Sequence, residues 1–411
     1  MKIYENVHII NLINDYMHFS DQISFKYTCK FIYNKVRITN MMYLPATISM
    51  NITDDVLVIY KYVKSLNIDN NNNISSLNYT NNISELSVSD IDLSMDFNNF
   101  LPVHNKLTML NISFTKMHMI NLNLPNLKKL IANGDCGFTQ LSVDTCYIPN
   151  IYDLDIAQNM NVIDVNKYSK TLHKLSAFGV DCNLKQSGIT KLNLITHLSI
   201  HYNQHIFDIN HMVNIVDLDI MSTKISNYGI RELKNVIKLN VSDVLMITDI
   251  NHMTRIEILI ANFDCLSDNG IKNLHNVLKL DIDNNKLIHN INHMKALFEC
   301  NMRNTIIPQE NITMLENITH LCASYNGEIY DLNHMKNLIM LEIIECNIHD
   351  YGIDKLENIE ELDVSGCCYL KDINHMKNLK ILRANDDCLS IEGIGMLNLE
   401  YMEIHDNPNF M

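Results

Sequence analysis

Aliphatic residues return along most of this chain in one short pattern. Apolar side chains stand at the first, fourth and sixth positions of a unit, as in Val277, Leu280 and Ile282, or Leu379, Leu382 and Ala384. The end of the pattern alternates apolar with polar, which predicts a short strand with its aliphatics turned inward. Units with this spacing start at Val63, Ile83, Leu107, Leu127, Ile151, Leu172, Ile195, Ile215, Val236, Ile256, Val277, Leu297, Ile318, Leu338, Ile359, Leu379 and Leu399, which makes 17. From Ile195 onward the spacing alternates between 20 and 21 residues until the last unit. A longer period lies over it. The tripeptide Asn-His-Met begins at Asn210, Asn251, Asn292, Asn333 and Asn374, 41 residues apart each time. A fixed period of this kind marks a repeat array, whose function sits on the shared surface the repeats build.

One unit cannot stand alone. Ordering about 20 residues costs roughly 1.5 kcal/mol each. Burying four or five aliphatics returns only about 1.5–3 kcal/mol apiece. Stacking must supply the remainder, by closing strand ladders and covering both faces of each coil. The ninth position turns the chain away from the strand. It reads Asn159, Asn203, Asn285, Asn326 and Asn407, with Asp264, Thr305 or Cys346 elsewhere. An inward amide there is expected to satisfy backbone groups of the neighbouring coil. The return paths alternate between two kinds. One carries Gly229-Ile230, Gly270-Ile271, Gly352-Ile353 or Gly393-Ile394, which predicts a single helical turn packed inward. The other carries Asp208-Ile209, Asp249-Ile250 or Asp372-Ile373 before Asn-His-Met and predicts an extended or 3₁₀ return.

The consensus L-x-x-L-x-L-x-x-N-x-L resembles the leucine-rich repeat. The resemblance implies an α/β solenoid of about 17 units over residues 63–411, with one short parallel strand per repeat. Residues before about 60 do not fit it. Val7, Ile10, Ile13 and Met17 recur at helical spacing, and a second helical stretch holds Ile23, Phe25, Cys29 and Ile32. The run from Ile13 through Phe25 to Thr28-Cys29-Lys30-Phe31-Ile32-Tyr33 is similar to an F-box. The expected organisation is an F-box-like segment at 1–40, a connecting and capping segment at 41–62, and the solenoid at 63–411. The half-repeat Cys346-Asn347-Ile348-His349-Asp350-Tyr351-Gly352-Ile353 looks like a segment of F-box/leucine-rich-repeat proteins. That resemblance implies a substrate adaptor of an SCF-type (cullin–RING) ubiquitin ligase. Ile9, Ile10, Ile13, Met17, Phe19, Phe25 and Cys29 would dock on a Skp-type linker subunit or form the segment's core. The other reading is a plain leucine-rich-repeat scaffold, in which the N-terminal helices only cap the array. An Asn-, Ile- and Met-rich composition looks like an AT-rich genome, such as a large DNA virus or a protist.

Composition narrows the function classes. An excess of acids repels phosphate backbones; here 47 acidic against 32 basic side chains give −15, so a basic protein target is expected and nucleic acid is not. Eleven cysteines, an odd number without Cys-x-x-Cys spacing or a preceding secretory signal, are expected to be reduced in a cytoplasm-like compartment, host cytoplasm if the source is viral, with the nucleus as alternative. No apolar run approaches membrane-spanning length. No phosphate loop, Ser/His/Asp constellation or metal triad stands out, so neither enzyme nor cofactor is expected. His211, His252, His293, His334 and His375 are equivalent positions about 9–10 Å apart if coils stack at strand spacing. That is too far for neighbours to share an ion, and bonding to backbone is the better reading. Cys136, Cys265 and Cys388 follow Asp at one repeat position and are expected to be small packing residues. The candidate target-binding surface is the concave face, where Asp153, Asp155, Asp217, Asp219, Asp281, Asp283, Glu342, Glu361 and Asp363 point away from the core, with His201, Arg303 and Arg383 among them. A merely solvated strand face would also carry acids.

Overall fold

The computed structural model describes Gln22 and residues 38–43, 46–92, 94–102, 104–385 and 389–405. These residues form coils, each contributing one short strand to a parallel ladder. Two compact units divide the chain, residues 1–206 and 207–411.

In the first unit the strands are β1 (Asn40–Met41), β2 (Ser65–Asn67), β3 (Glu85–Ser87), β4 (Met109–Asn111), β5 (Lys129–Ile131), β6 (Asp153–Asp155), β7 (Lys174–Ser176) and β8 (His197–Ser199). Each pairs in parallel with the next. In the second unit they are β9 (Asp217–Asp219), β10 (Lys238–Asn240), β11 (Ile258–Ile260), β12 (Lys279–Asp281), β13 (Glu299–Asn301), β14 (His320–Cys322), β15 (Met340–Glu342), β16 (Glu361–Asp363), β17 (Ile381–Asn385) and β18 (Tyr401–His405), again paired in sequence. All 17 repeat starts read from the sequence lie two residues before a strand. The fold is the leucine-rich-repeat α/β solenoid.

One strand was not foreseen. β1 lies where the first two expected segments meet and pairs with β2. Its far edge shows how the ladder begins. In the later coils within each unit the first strand residue and the one before it donate to a single carbonyl of the coil behind, as Lys64 and Ser65 do to Thr39 at 2.7 and 3.1 Å. The equivalent donors of the first coil, Thr39 and Asn40, meet the side-chain oxygen of Gln22 at 3.0 and 3.3 Å. A buried glutamine amide therefore stands in for the missing carbonyl and closes an edge that would otherwise carry unpaired N–H groups.

The inward positions are apolar and fully buried, for example Leu218, Ile220, Leu259, Leu280 and Ile282. The ninth-position amides behave as expected. Asn159, Asn203, Asn285 and Asn326 are completely buried. Asn285 donates to Ala261 and Leu266 carbonyls of the coil behind, at 3.1 and 3.2 Å, and accepts from the N–H groups of Leu287 and Ile288. Thr305 and Cys346 fill the same place with shorter polar groups, bonded to Met302 and Ala323 carbonyls. Asp264 departs from the expectation: it is exposed, and the following Cys265 is buried instead. Cys136 is buried in the same way. Burial pushes both thiols up to about 11, as suits packing groups rather than nucleophiles. Asn407 and Cys388 lie outside the described residues.

The two return paths differ as the sequence suggests. One turn of helix forms at Asn227–Ile230, Asp268–Ile271 and Ile391–Ile394, and a 3₁₀ turn at Asp350–Gly352. The Asn-His-Met returns are extended, with a turn at the Asn-His pair. Each of the three residues has its own bonding direction. The asparagine reaches forward: Asn333 donates to Tyr351 O at 2.7 Å and accepts from Lys355 N at 2.8 Å. The histidine reaches back: Nε2 of His252, His293, His334 and His375 lies 2.9–3.0 Å from a carbonyl of the preceding coil. The methionines Met212, Met253, Met294, Met335 and Met376 enter the core. One tripeptide thus ties its coil to both neighbours.

Burial has a consequence for pH. Desolvation is the first cause holding His293 below the usual imidazole value, opposed by its bond to Ile271 and reinforced by neighbouring His275. The unfolded chain then binds this proton more tightly than the folded one, so stability falls as pH drops below about 6.5 toward the lower folded value. Urea midpoints at pH 7.5 and 5.5 are expected to differ less in His293→Gln than in the wild type. An unchanged difference would remove His293 from the effect.

Candidate functional site

The side chains flanking each inward strand residue form a continuous outer face along each ladder, because successive Cβ atoms alternate between faces. Eight of the nine predicted acidic residues occupy it: Asp153 and Asp155 in the first unit, and Asp217, Asp219, Asp281, Glu342, Glu361 and Asp363 in the second, all half-buried. Asp283 is not a strand residue. It lies two residues past β12, in the turn.

Part of this acidity has a local use. At the last strand position the side chain accepts a hydrogen bond from the N–H two residues on, closing the turn that leaves the strand. Asp155, Asp219, Asp281 and Asp363 do so, at 3.1–3.3 Å. Asn67, Asn111, Asn240 and Asn301 perform the same task in other coils. The turn needs a side-chain oxygen but not a charge. Three residues past the strand the backbone then takes the left-handed conformation, at Asn284, Asn304 and Tyr325 with φ of 59°, 49° and 60°. No single residue type marks this position, so the sequence pattern did not reveal it.

Other acids are paired across rungs. Asp153 meets Lys129 at 3.4 Å, Asp217 meets Lys238 at 3.5 Å, and Glu361 meets Arg383 at 2.6 Å. Arg383 also approaches Glu403 at 3.7 Å. Lys279 pairs with Glu299. Arg303 lies over the ring of Tyr325 at 5.0 Å, and His201 stacks on Phe178 at 4.1 Å.

Between β11 and β15 the face sinks into a groove of about 500 Å³. Ile258, Ile260 and Met340 give it apolar walls; Asp281, Asp283, Arg303 and Glu342 give it polar ones. Burial is the main cause that raises the Asp281 carboxyl, helped by the nearby Asp283 charge and opposed by donors from Asp283 N–H, Asn262 and Asn301. Oδ1 of Asp283 and Oδ1 of Asn262 are buried acceptors without a hydrogen-bond partner. Such atoms are costly to leave unpaired and suit a ligand that brings donors. Cys322 donates to Glu342 at 3.3 Å, and burial pushes its thiol up to about 11. The sequence placed Asp281 and Asp283 on this surface but gave no sign of the groove, which takes its walls from five coils.

The proposed docking residues Ile9, Ile10, Ile13, Met17, Phe19, Phe25 and Cys29 all lie outside the described residues. Among the described residues no group of three or more His, Cys, Asp or Glu side chains could hold a metal ion. Among them also, no cysteines pair, and no helix is long and apolar enough to cross a membrane.

No protein-family model and no curated protein matches the sequence. Solved structures do. The functional domain of InlJ from Listeria monocytogenes superposes with a TM-score of 0.55 at 16% identity, over 82% of this chain and 70% of that one. TLR13, in a complex with ssRNA13, superposes with a TM-score of 0.52 at 15% identity, over 84% and 71%. A leucine-rich-repeat protein of Leptospira interrogans covers 93% of this chain and 98% of its own at 16% identity, with a TM-score of 0.48. At these identities the likeness concerns the fold.

Proposed function

We propose that this chain is a non-catalytic protein-interaction scaffold whose strand face in residues 207–411 holds a basic partner. The observation that carries this reading is the partition of charge. Residues 1–206 contain 16 basic and 16 acidic side chains, whereas residues 207–411 contain 16 and 31, so the whole net charge of −15 belongs to the second unit. On its strand face asparagine would serve the turns as well as aspartate, so the carboxylates there exceed what folding asks for. A field of one sign over a face draws partners of the opposite sign and orients them.

The test is titration with an arginine-rich decapeptide at low and high salt. Asp281→Asn with Glu342→Gln is expected to weaken binding about tenfold, on the scale of two desolvated charge contacts. Glu310→Gln with Glu316→Gln removes the same charge from exposed return-path positions and should change affinity little. Equal losses from both pairs would reduce the interaction to net charge and overturn the assignment of the face.

The finer reading is the substrate adaptor of a cullin–RING ligase, supported by the F-box-like residues 13–33. The competing reading, a cap, is supported by the way Gln22 closes the edge of β1. Co-elution with a purified Skp-type subunit, lost in Ile13→Asp, would establish the adaptor. No co-elution would leave the N-terminal segment as a cap.

A further inference from the structure

We infer that the first unit carries a second docking site, apart from the strand face, which takes an acidic peptide segment. Where the chain enters β5, β6 and β7, the residues just before the strands are Lys128, Tyr152 and His173. Neighbouring strands lie about 4.8 Å apart, so these three form a row across successive coils. With Lys170, Asn126 and Asn150 they line a recess of about 520 Å³ that no carboxylate lines.

Its charged groups are uncommitted. The ammonium groups of Lys128 and Lys170 have no hydrogen bond or ion pair among the described residues. Lys129, one residue further on, turns to the strand face and pairs with Asp153. The floor, by contrast, is fixed. Asn126 and Asn150 each donate to a carbonyl of the coil behind, Asn105 O at 2.7 Å and Pro125 O at 2.6 Å. The His173 ring stacks on Tyr152, with centroids 4.6 Å apart and planes 19° from parallel. Its Nδ1 lies 2.7 Å from Thr171 O, and since a carbonyl only accepts, Nδ1 is the donor of a bond that fixes the ring. A rigid aromatic floor beneath two unpaired cations is set up to receive an anion with little further ordering.

The surrounding sequence agrees. Residues 97–206 hold nine lysines against six aspartates, with no glutamate and no arginine, inside a chain of net charge −15. The same rim position in the second unit reads Val216, Ile237, Glu257, Leu278, Phe298, Thr319, Ile339, Glu360, Lys380 and Glu400 along its ten strands, and the one lysine there is paired with Glu360. Two lysines free of any carboxylate partner are thus not a property of the rim in every coil. A short acidic segment fits this setting better than nucleic acid does. The recess spans three coils, roughly 10 Å at strand spacing, a reach that a few consecutive carboxylates match. The stretch also lacks the planar arginine forks that recognise phosphates in two-pronged fashion, while lysine point charges accept carboxylates in many orientations.

A fluorescein-labelled hexaglutamate peptide, followed by anisotropy at low salt, tests this on the full chain. Lys128→Ala with Lys170→Ala should weaken binding about tenfold or more, on the scale of two lost charge contacts. Lys106→Ala with Lys116→Ala should change it less than twofold. Zero-length carbodiimide cross-linking should join the peptide to Lys128 or Lys170. Circular dichroism controls for folding, which these exposed, unpaired side chains do not support. The assignment is overturned if the 128/170 pair binds within twofold of wild type, if cross-links map elsewhere, or if single-stranded DNA of equal charge binds more tightly than the peptide. Failure of the strand-face experiment leaves this site untouched, since the two share no residue.

Discussion

Replacing Asn285 with alanine is expected to destabilise its coils by about 3 kcal/mol, since three buried backbone groups lose their partners at about 1 kcal/mol each and a fourth, at exposed Leu287, can turn to water. Two of those groups are carbonyls of the coil behind, Ala261 and Leu266; two are N–H groups of its own turn, Leu287 and Ile288. The site is dry, with Asn285 wholly buried, so water replaces few of these bonds. A repeat array does not unfold as one two-state unit, because each coil is held by its neighbours. The loss should therefore appear first as hydrogen exchange accelerated in roughly residues 256–305, ahead of any change in the first unit. The chain suggests a graded series. Thr305 and Cys346 hold the equivalent place with one short polar group each. Asn285→Thr and Asn285→Cys should fall between wild type and alanine. Alanine matching wild type in exchange would show that the amide is not what joins these coils.

Gly270→Ala is expected to cost about 3 kcal/mol, the upper range for forcing atoms into a filled interior. A Cβ built on Gly270 would lie 2.1 Å from Thr248 O and 3.0 Å from Thr248 C, which are backbone and cannot rotate aside. The helical turn Asp268–Ile271 would have to lift off the coil before it, loosening the buried Ile271. Gly229, Gly352 and Gly393 approach Phe207, Tyr330 and Lys371 carbonyls in the same way, at 2.3, 2.2 and 1.9 Å. The control is Gly327→Ala. There the added carbon meets only the end of the Asn347 side chain, at 3.3 Å, and the change should be under about 1 kcal/mol. Thermal or urea melts of the two variants decide it; equal shifts would show that the close approach is not the reason for glycine.

Two surfaces of opposite character follow from the same coil. Its strand face is acidic in residues 207–411, and in residues 97–206 a recess at its strand-entry rim is lined by Lys128 and Lys170 and by no carboxylate. Because aliphatics, amides and glycines hold the solenoid, the outward positions are free to differ from coil to coil. A scaffold can then vary its partners without disturbing its stacking.

The sequence by itself determined the period, the strands and the inward residues, since each coil must bury its own aliphatics and that demand is written in every unit. It also favoured backbone bonding over a shared ion for the Asn-His-Met histidines, as found at His252, His293, His334 and His375. Tertiary structure alone decided which groups meet across coils. Gly270 is explained only by Thr248, 22 residues earlier, and Gln22 only by the open edge of β1. Asp153 and Asp281 look alike in the sequence, yet one is paired with a lysine while the other is raised by burial beside unpartnered acceptors. Periodic burial is a local property and leaves a local trace. Hydrogen-bond partners, close backbone approaches and grooves depend on the register between coils, and a single unit carries no record of what its neighbour places opposite it.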